Sequence, residues 1–233
     1  GFVEVLAENL QPRALPEALL QLREKGLQII PHGVSLSLGG AEPIVPKRVE
    51  HLARLAEALN APLVSEHIAF VRSGDVEIGH LTPLPRAREA LEILVENIQA
   101  VTKLLPVPLA LENIAALFDW PAAEMSEAEF VTTALEATDT LLLLDVSNAY
   151  ANAHNRRVEP LAELGGFPLE RLAYVHVGGG IEHDGVVHDT HGDPVLPGAL
   201  DLLERFCAMR SSPGVMLERD DHFNGPAEIN LEL

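Results

Sequence analysis

Apolar residues along the chain follow two rhythms. Short β-rich runs recur at 2–6 (FVEVL), 27–31 (LQIIP), 62–65 (PLVS), 107–111 (VPLAL), 140–146 (TLLLLDV), 172–177 (LAYVHV), 185–188 (GVVH) and 214–217 (GVML). Most are apolar at successive positions, as strands covered on both faces are. Amphipathic segments lie between most of them. Residues 47–59 place Val49, Leu52, Ala53, Ala56 and Leu59 on one helical face, and 87–104 do the same with Ala87, Ala90, Leu91, Leu94, Val95 and Ile98. Ser126 with Glu129 forms a capping box that opens a third helix through Phe130, Val131, Ala134 and Leu135. A fourth spans 198–210 with Leu202, Leu203 and Phe206. Apolar strands alternating with amphipathic helices predict a parallel sheet wrapped by helices. Eight strand candidates point to a (β/α)8 TIM barrel of class α/β. The sixth and seventh candidates are too close for a full helix between them, and little chain follows the eighth. Pro and Gly gather at 31–46, 79–85 and 178–198, where long loops are expected.

The chain has 233 residues, 47% of them hydrophobic, enough for one barrel domain over 1–233. Its opening on an apolar stretch suggests a natural N-terminal segment upstream, and the last helix is expected to be short or missing. The longest apolar runs fall far below the roughly 18 residues of a membrane span. A single cysteine, Cys207, lies in a helical pattern and reads as a small core residue, consistent with a reducing cytoplasm. The net charge of −19, with no basic stripe, argues against nucleic acid as a partner.

Candidate chemistry appears at the strand ends, where a barrel of this kind carries its site. They read His32, Glu66-His67, Glu112-Asn113, Asp145 with Asn148, His176, Asp189 with His191, and Glu218. Each alone has a bland reading as a cap, a turn or a solvated histidine. Together they converge on one rim, where several carboxylates resist ionisation unless cations lie between them. Mixed nitrogen and oxygen donors without thiolate suit Zn, Mn or Fe, and more than one ion. The donor chemistry alone does not choose among these metals.

The stretches PHGVSLSLGG, SEHIAF, LTPLP, LEN, LLLDVSNAYANAHN, VHVGG, HDTHGDPV and LERDD, in that order, resemble the multinuclear non-haem iron-dependent oxidative enzymes, over about residues 1–222. The resemblance implies a xylose isomerase-like TIM barrel, two or three iron ions of mixed valence, and O2 as co-substrate. It implies a first ion on His32, His67 and Glu112. Glu112 would bridge to a second ion on Asp145, His176 and Glu218, with Glu112, Asp145 and His176 at the catalytic centre. Asn148, Asp189 and His191 would hold a third, the last two alternating along one short strand. Glu66 stands where such proteins often have Asp, and Asn148 is a weaker ligand than the histidine of endonuclease IV-like proteins. The implied substrate is a cysteine-containing, ribosomally made precursor peptide, together with a partner protein that binds its leader. His154 and Asn155, read as lying on a loop, are candidate substrate contacts, with Glu8 and Asn9 in a similar role. His80, His183 and His188 have no assigned role, though His188 is expected nearest the site. Asp220 and Asp221 are expected to support or surround it.

Three rival readings share parts of this pattern. A divalent-metal sugar isomerase or epimerase would use Glu112, Asp145, His176 and Glu218 but leave His32, His67, Asp189 and His191 unexplained. An endonuclease IV-like zinc phosphodiesterase conflicts with the charge and with Asn148. A metal-binding scaffold without turnover would have a closed site.

Overall fold

The computed structural model describes residues 1–209 and 214–223, and residues 225, 227, 229 and 230 besides. In chain order the elements are β1 (Phe2–Leu6), α1 (Glu17–Glu24), β2 (Gln28–Gly33), α2 (Pro46–Leu59), β3 (Val64–His67), β4 (Phe70–Ser73), β5 (Val76–Thr82), α3 (Arg88–Thr102), β6 (Leu109–Glu112), α4 (Glu127–Thr138), β7 (Leu141–Asp145), α5 (Val146–Arg156), α6 (Pro160–Gly165), β8 (Leu172–Gly178), β9 (Gly180–His183), β10 (Val186–Asp189), α7 (Pro197–Met209) and β11 (Gly214–Glu218). Seven strands form one sheet in the order β1-β2-β3-β6-β7-β8-β11, with every neighbouring pair parallel. This is a near-closed barrel. Facing side chains of β1 and β11 line a cleft of about 690 Å³ that also reaches His32.

The run at 185–188 is a strand, but it does not join the barrel. β10 pairs antiparallel with β9 across the Asp184-Gly185 turn, both residues having positive φ. A parallel crossover needs a dozen or more residues, and so short a connection permits only a hairpin. A second hairpin, β4 with β5, extends from the loop after β3.

Alternation along the strands sorts the barrel interior into layers. Ile30, Ala110, Leu143 and Tyr174 pack together as one buried cluster. Two residues further along each strand stand His32, Glu112, Asp145 and His176, all buried. The apolar layer is thus a floor, and the polar layer lies on it at the strands' C-terminal ends. Register holds that layer level, since His67 pairs with Glu112 and Asp145 with His176. The intervening residues Val64, Leu109, Leu111, Leu142, Leu144 and Val175 face outward into the main core with the helices. Each such fully buried aliphatic side chain contributes about 1.5–3 kcal/mol. The capping box at Ser126 forms as expected, with the Glu129 amide donating to Ser126 Oγ and the Ser126 amide donating to Glu129 Oε2. Cys207 is half-buried against the core. Among the described residues, no helix is long and apolar enough to cross a membrane.

Candidate metal centre

Glu112 ends β6 at the middle of the polar layer and is 1% exposed. Its two oxygens face different neighbours. Oε2 lies 3.6 Å from His32 Nε2 and 3.3 Å from His67 Nε2. Oε1 lies 3.2 Å from His176 Nδ1, which is also 3.0 Å from Glu218 Oε2. The histidine rings are fixed from behind. His32 Nδ1 pairs with Ser65 Oγ at 2.8 Å, and His67 Nδ1 pairs with the Gly33 carbonyl at 3.2 Å. Both Nε2 atoms are therefore turned to Glu112. Two ligand-type groups result: His32, His67 and Glu112, and Glu112, Asp145, His176 and Glu218. In each group the donor atoms lie within 4.8 Å of one another.

A third group, His191 with Glu218 and Asp220, adjoins them. His191 Nε2 is 3.0 Å from Asp189 Oδ1 and 3.9 Å from Asp145 Oδ2, while Nδ1 is 3.4 Å from Asp220 Oδ2. Asp189 and His191 meet, but not by alternating along a strand. β10 stops at Asp189, and His191 follows in a turn with φ of 48°. The cause is the Gly179 carbonyl, which accepts from the backbone N–H groups of both Thr190 and His191 and pulls the chain out of strand geometry. Asn148 sits in the first turn of α5. Its amide donates to Asp145 Oδ1 and its Nδ2 to the Asn113 carbonyl, while Asn148, Asp189 and His191 line one cleft.

Electrostatics in the layer are mutually dependent. Burial opposes charge on His67, yet Glu112 and Glu66 outweigh it and raise the imidazole to about 9. For His176, burial is likewise overcome, by Glu112, Glu218 and Glu4, and its value stands well above the ordinary one. His191 rises to about 12 against burial because the Asp189 and Asp220 carboxylates stand 3.0 and 3.4 Å from its ring nitrogens. Burial alone would neutralise Glu112 and Glu218, but the facing imidazoles hold both below the usual carboxylate range. Asp145 is the exception, since burial and the Glu112 charge push it up to about 7.

Several buried polar atoms here have no hydrogen-bond partner: Glu112 Oε2, Asp145 Oδ2, Asn148 Oδ1, His176 Nδ1, Asp189 Oδ1, His191 Nε2 and Glu218 Oε2. Leaving each unmet costs roughly 1–3 kcal/mol. Such a set, all carboxylate, amide or imidazole and all converging, fits cations between them.

Other expected residues serve elsewhere. His154 and Asn155 lie on α5, not on a loop. Asn155 clamps Val187 of β10 through both its Nδ2 and Oδ1, and the His154 ring lies 5.9 Å from that of Tyr150. Glu8 Oε1 accepts from the Val34 amide, and Asn9 closes a short 3-10 turn. Glu66 accepts from the His67 and Leu36 amides and so holds the loop after β2. His80 and His188 line the cleft above the polar layer, with Leu81, Ile114 and Leu117, in a space of about 500 Å³. His183 and Asp221 are exposed.

The strand-end reading misses the supports beneath the layer. Glu4 on β1 places Oε2 2.8 Å from His176 Nε2. The Tyr174 hydroxyl donates to Glu4 Oε1. Burial, followed by Glu4, raises the tyrosine and keeps its proton on. Asn113, which the strand ends did include, exchanges two hydrogen bonds with the Asp145 backbone. One signal was available: a glutamate inside the otherwise apolar strand FVEVL must face something polar.

Across residues 1–233 the chain matches the model of the family described as "RiPP precursor modification enzyme MbnB/TglH/ChrH". It is 49% identical over 239 residues to a UPF0276 protein of Streptomyces avermitilis, covering 100% of this chain and 49% of that protein. The chain thus spans about half the length of that relative. It is 37% identical over 233 residues to a UPF0276 protein of Shewanella loihica, covering 99% of this chain and 82% of that one. Among solved structures it resembles endonuclease IV from Thermus thermophilus, with a TM-score of 0.63 and 24% identity, covering 98% of this chain and 85% of that one. It also resembles the IOLI protein with a binding zinc atom, with a TM-score of 0.65 and 13% identity, covering 95% and 80%. At these identities the two structures establish the barrel fold alone, whereas the family match and the closer relatives establish kinship: the chain belongs to the MbnB/TglH/ChrH family of RiPP precursor modification enzymes.

Proposed function

We propose that the protein is an iron-dependent, O2-using oxidoreductase that modifies cysteine residues of a ribosomally synthesised precursor peptide, in the cytoplasm and with a leader-binding partner protein. The observation that carries this reading is Glu112, whose two oxygens address two separate sets of imidazole and carboxylate donors. A carboxylate so placed suits a bridge between adjacent ions. Family membership supplies the peptide substrate class. The thiolate-free donor set suits iron and leaves room for a substrate thiolate.

In this reading His32, His67 and Glu112 hold one ion. Glu112, Asp145, His176 and Glu218 hold a second, and Asn148, Asp189 and His191 hold a third. When bound, such a group supplies sites for thiolate and O2 side by side and stabilises charge that develops on oxygen. The chain contributes rigidity. Ser65 and the Gly33 carbonyl fix His32 and His67, and Asn113 fixes the Asp145 backbone. Leu81, Ile114, Ala115 and Leu117 give the cleft an apolar wall that excludes water around a bound cysteine. His80 and His188 offer it polar contacts.

Anaerobic loading with Fe(II), followed by air and a cysteine-containing precursor peptide from the same genomic neighbourhood, tests the proposal by mass spectrometry. An oxygen-dependent mass change confined to the cysteine supports it. Zinc alone sustaining phosphodiester cleavage, or manganese sustaining sugar epimerisation, would replace it with one of the rival chemistries.

A further inference from the structure

Beneath the polar layer lie buried contacts of which only the Ser65 support of His32 enters the ligand roles above. His32 Nδ1 meets Ser65 Oγ at 2.8 Å on one side of the barrel. On the other, His176 Nε2 lies 2.8 Å from Glu4 Oε2, and Glu4 Oε1 accepts the Tyr174 hydroxyl proton. His176 is wholly buried, Tyr174 is 3% exposed and the Glu4 side chain 6%. These residues come from β1, β2, β3 and β8, and the Glu4 contacts tie together strands far apart in sequence. The rings of Tyr174 and His176 stack edge to face at 5.5 Å, which leaves the imidazole little freedom to turn.

The chemistry follows from the two faces of His176. Its Nδ1 points at Glu112 and Glu218. With a cation on Nδ1, the ring's one proton sits on Nε2, and Glu4 is the carboxylate facing it. A carboxylate that accepts such a proton makes the imidazole a stronger donor and fixes its orientation. The 2.8 Å contact is not yet aligned as a hydrogen bond, since both Glu4 Oε2 and His176 Nε2 lack an aligned partner. A proton on Nε2 still faces Glu4 Oε2 at 2.8 Å, close enough for the carboxylate to polarise the ring. The Tyr174 hydroxyl draws on the same carboxylate from its other oxygen and so tempers it.

We infer that Glu4 and Tyr174 are a pair of opposed positioning residues behind His176: Glu4 strengthens the imidazole as a donor to a bound cation, and Tyr174 limits that effect. The inference rests on the reading of His176 as a metal-holding residue. It makes opposite predictions for two conservative changes, which a merely structural role would not.

Co²⁺ alone is a sufficient probe, read by chelator competition and by its visible ligand-field spectrum, with a thermal melt alongside. Glu4→Gln should keep the wild-type stoichiometry and weaken the affinity of one Co²⁺ by about 10–100-fold. Tyr174→Phe should lower the melting temperature, because it leaves Glu4 Oε1 without its donor, yet bind that Co²⁺ more tightly than wild type. The two variants should shift the visible bands in opposite directions. Unchanged affinity in Glu4→Gln with wild-type Co²⁺ binding intact would overturn this inference and leave the metal centre standing. So would equal weakening in both variants, or the loss of a whole Co²⁺ equivalent in Glu4→Gln, which would make Glu4 a direct ligand. Absence of Co²⁺ binding by wild type would overturn the metal-centre reading and this inference with it.

Discussion

At the scale of single residues, Glu112 decides the character of the site. Its neighbours supply opposite charge on both sides, so it stays ionised although burial opposes that. Glu112→Gln keeps the volume and removes the charge. It should leave the barrel's circular dichroism intact while weakening cation binding at two positions at once, each by on the order of tenfold or more. Isothermal titration would show the loss at one position only if the carboxylate were not shared. Protons compete with cations in the same layer. His67 has its folded value raised from 6.5 to about 9, so its stabilising contribution is complete below pH 6.5 and is lost as pH rises through about 9. Asp145 is raised from 3.8 to about 7, so its ionisation also costs the metal-free fold stability as pH rises through that range. A bound cation takes the place of those protons. The difference in melting temperature between metal-loaded and chelator-treated protein should therefore widen from pH 6.5 to about 9. A difference that stayed constant would contradict the assignment of these two residues.

At the scale of elements, short stretches of backbone place the donors. Asp145 ends β7 and caps α5 by accepting the Asn148 amide, so one residue serves strand, helix and site. The β9–β10 hairpin reaches the layer because Gly179 lets the chain approach itself closely. A Cβ at Gly179 would lie 1.5 Å from the Asp193 carbonyl oxygen, which is backbone and cannot yield cheaply. Gly179→Ala should cost about 1–3 kcal/mol or more in a denaturant melt and displace Asp189 and His191. A stable variant with unaltered binding would show that the hairpin is incidental to the site. The Ser126 cap lies far from the chemistry, and Ser126→Ala should cost about 1 kcal/mol with no effect on cation affinity. The sequence showed these elements unevenly. α2, α3, α4 and α7 have clear apolar faces; α2, α3 and α7 end within a residue or two of their expected bounds, and α4 opens at its expected cap. α5 was hidden because VSNAYANAHNR is small and polar, and it starts directly at the end of a strand. The hairpins were hidden among glycines and charged residues that read as loops.

At the scale of the whole molecule, the fold divides labour between layers. Leu142 and Leu144 face outward to the helices, while Leu143 and Asp145 face inward to the floor and the site. Polar residues at strand ends are legible in a sequence because they close apolar runs, which is how His32, His67, Glu112, Asp145, His176 and Glu218 stood out. Glu4 signalled a polar partner, but that its partners are Tyr174 and His176 was not legible, because β1 and β8 lie near opposite ends of the strand order and meet only as the sheet curls toward closure. Which strand face turns inward is decided by closure of the sheet, not by any local pattern. The most direct test of a shared carboxylate between two ion positions is anomalous diffraction from crystals of the iron-loaded protein, collected on both sides of the iron edge. Two iron peaks flanking Glu112 are expected, one beside His32 and His67, the other beside Asp145, His176 and Glu218. A single peak, or none within bonding distance of Glu112, would contradict it.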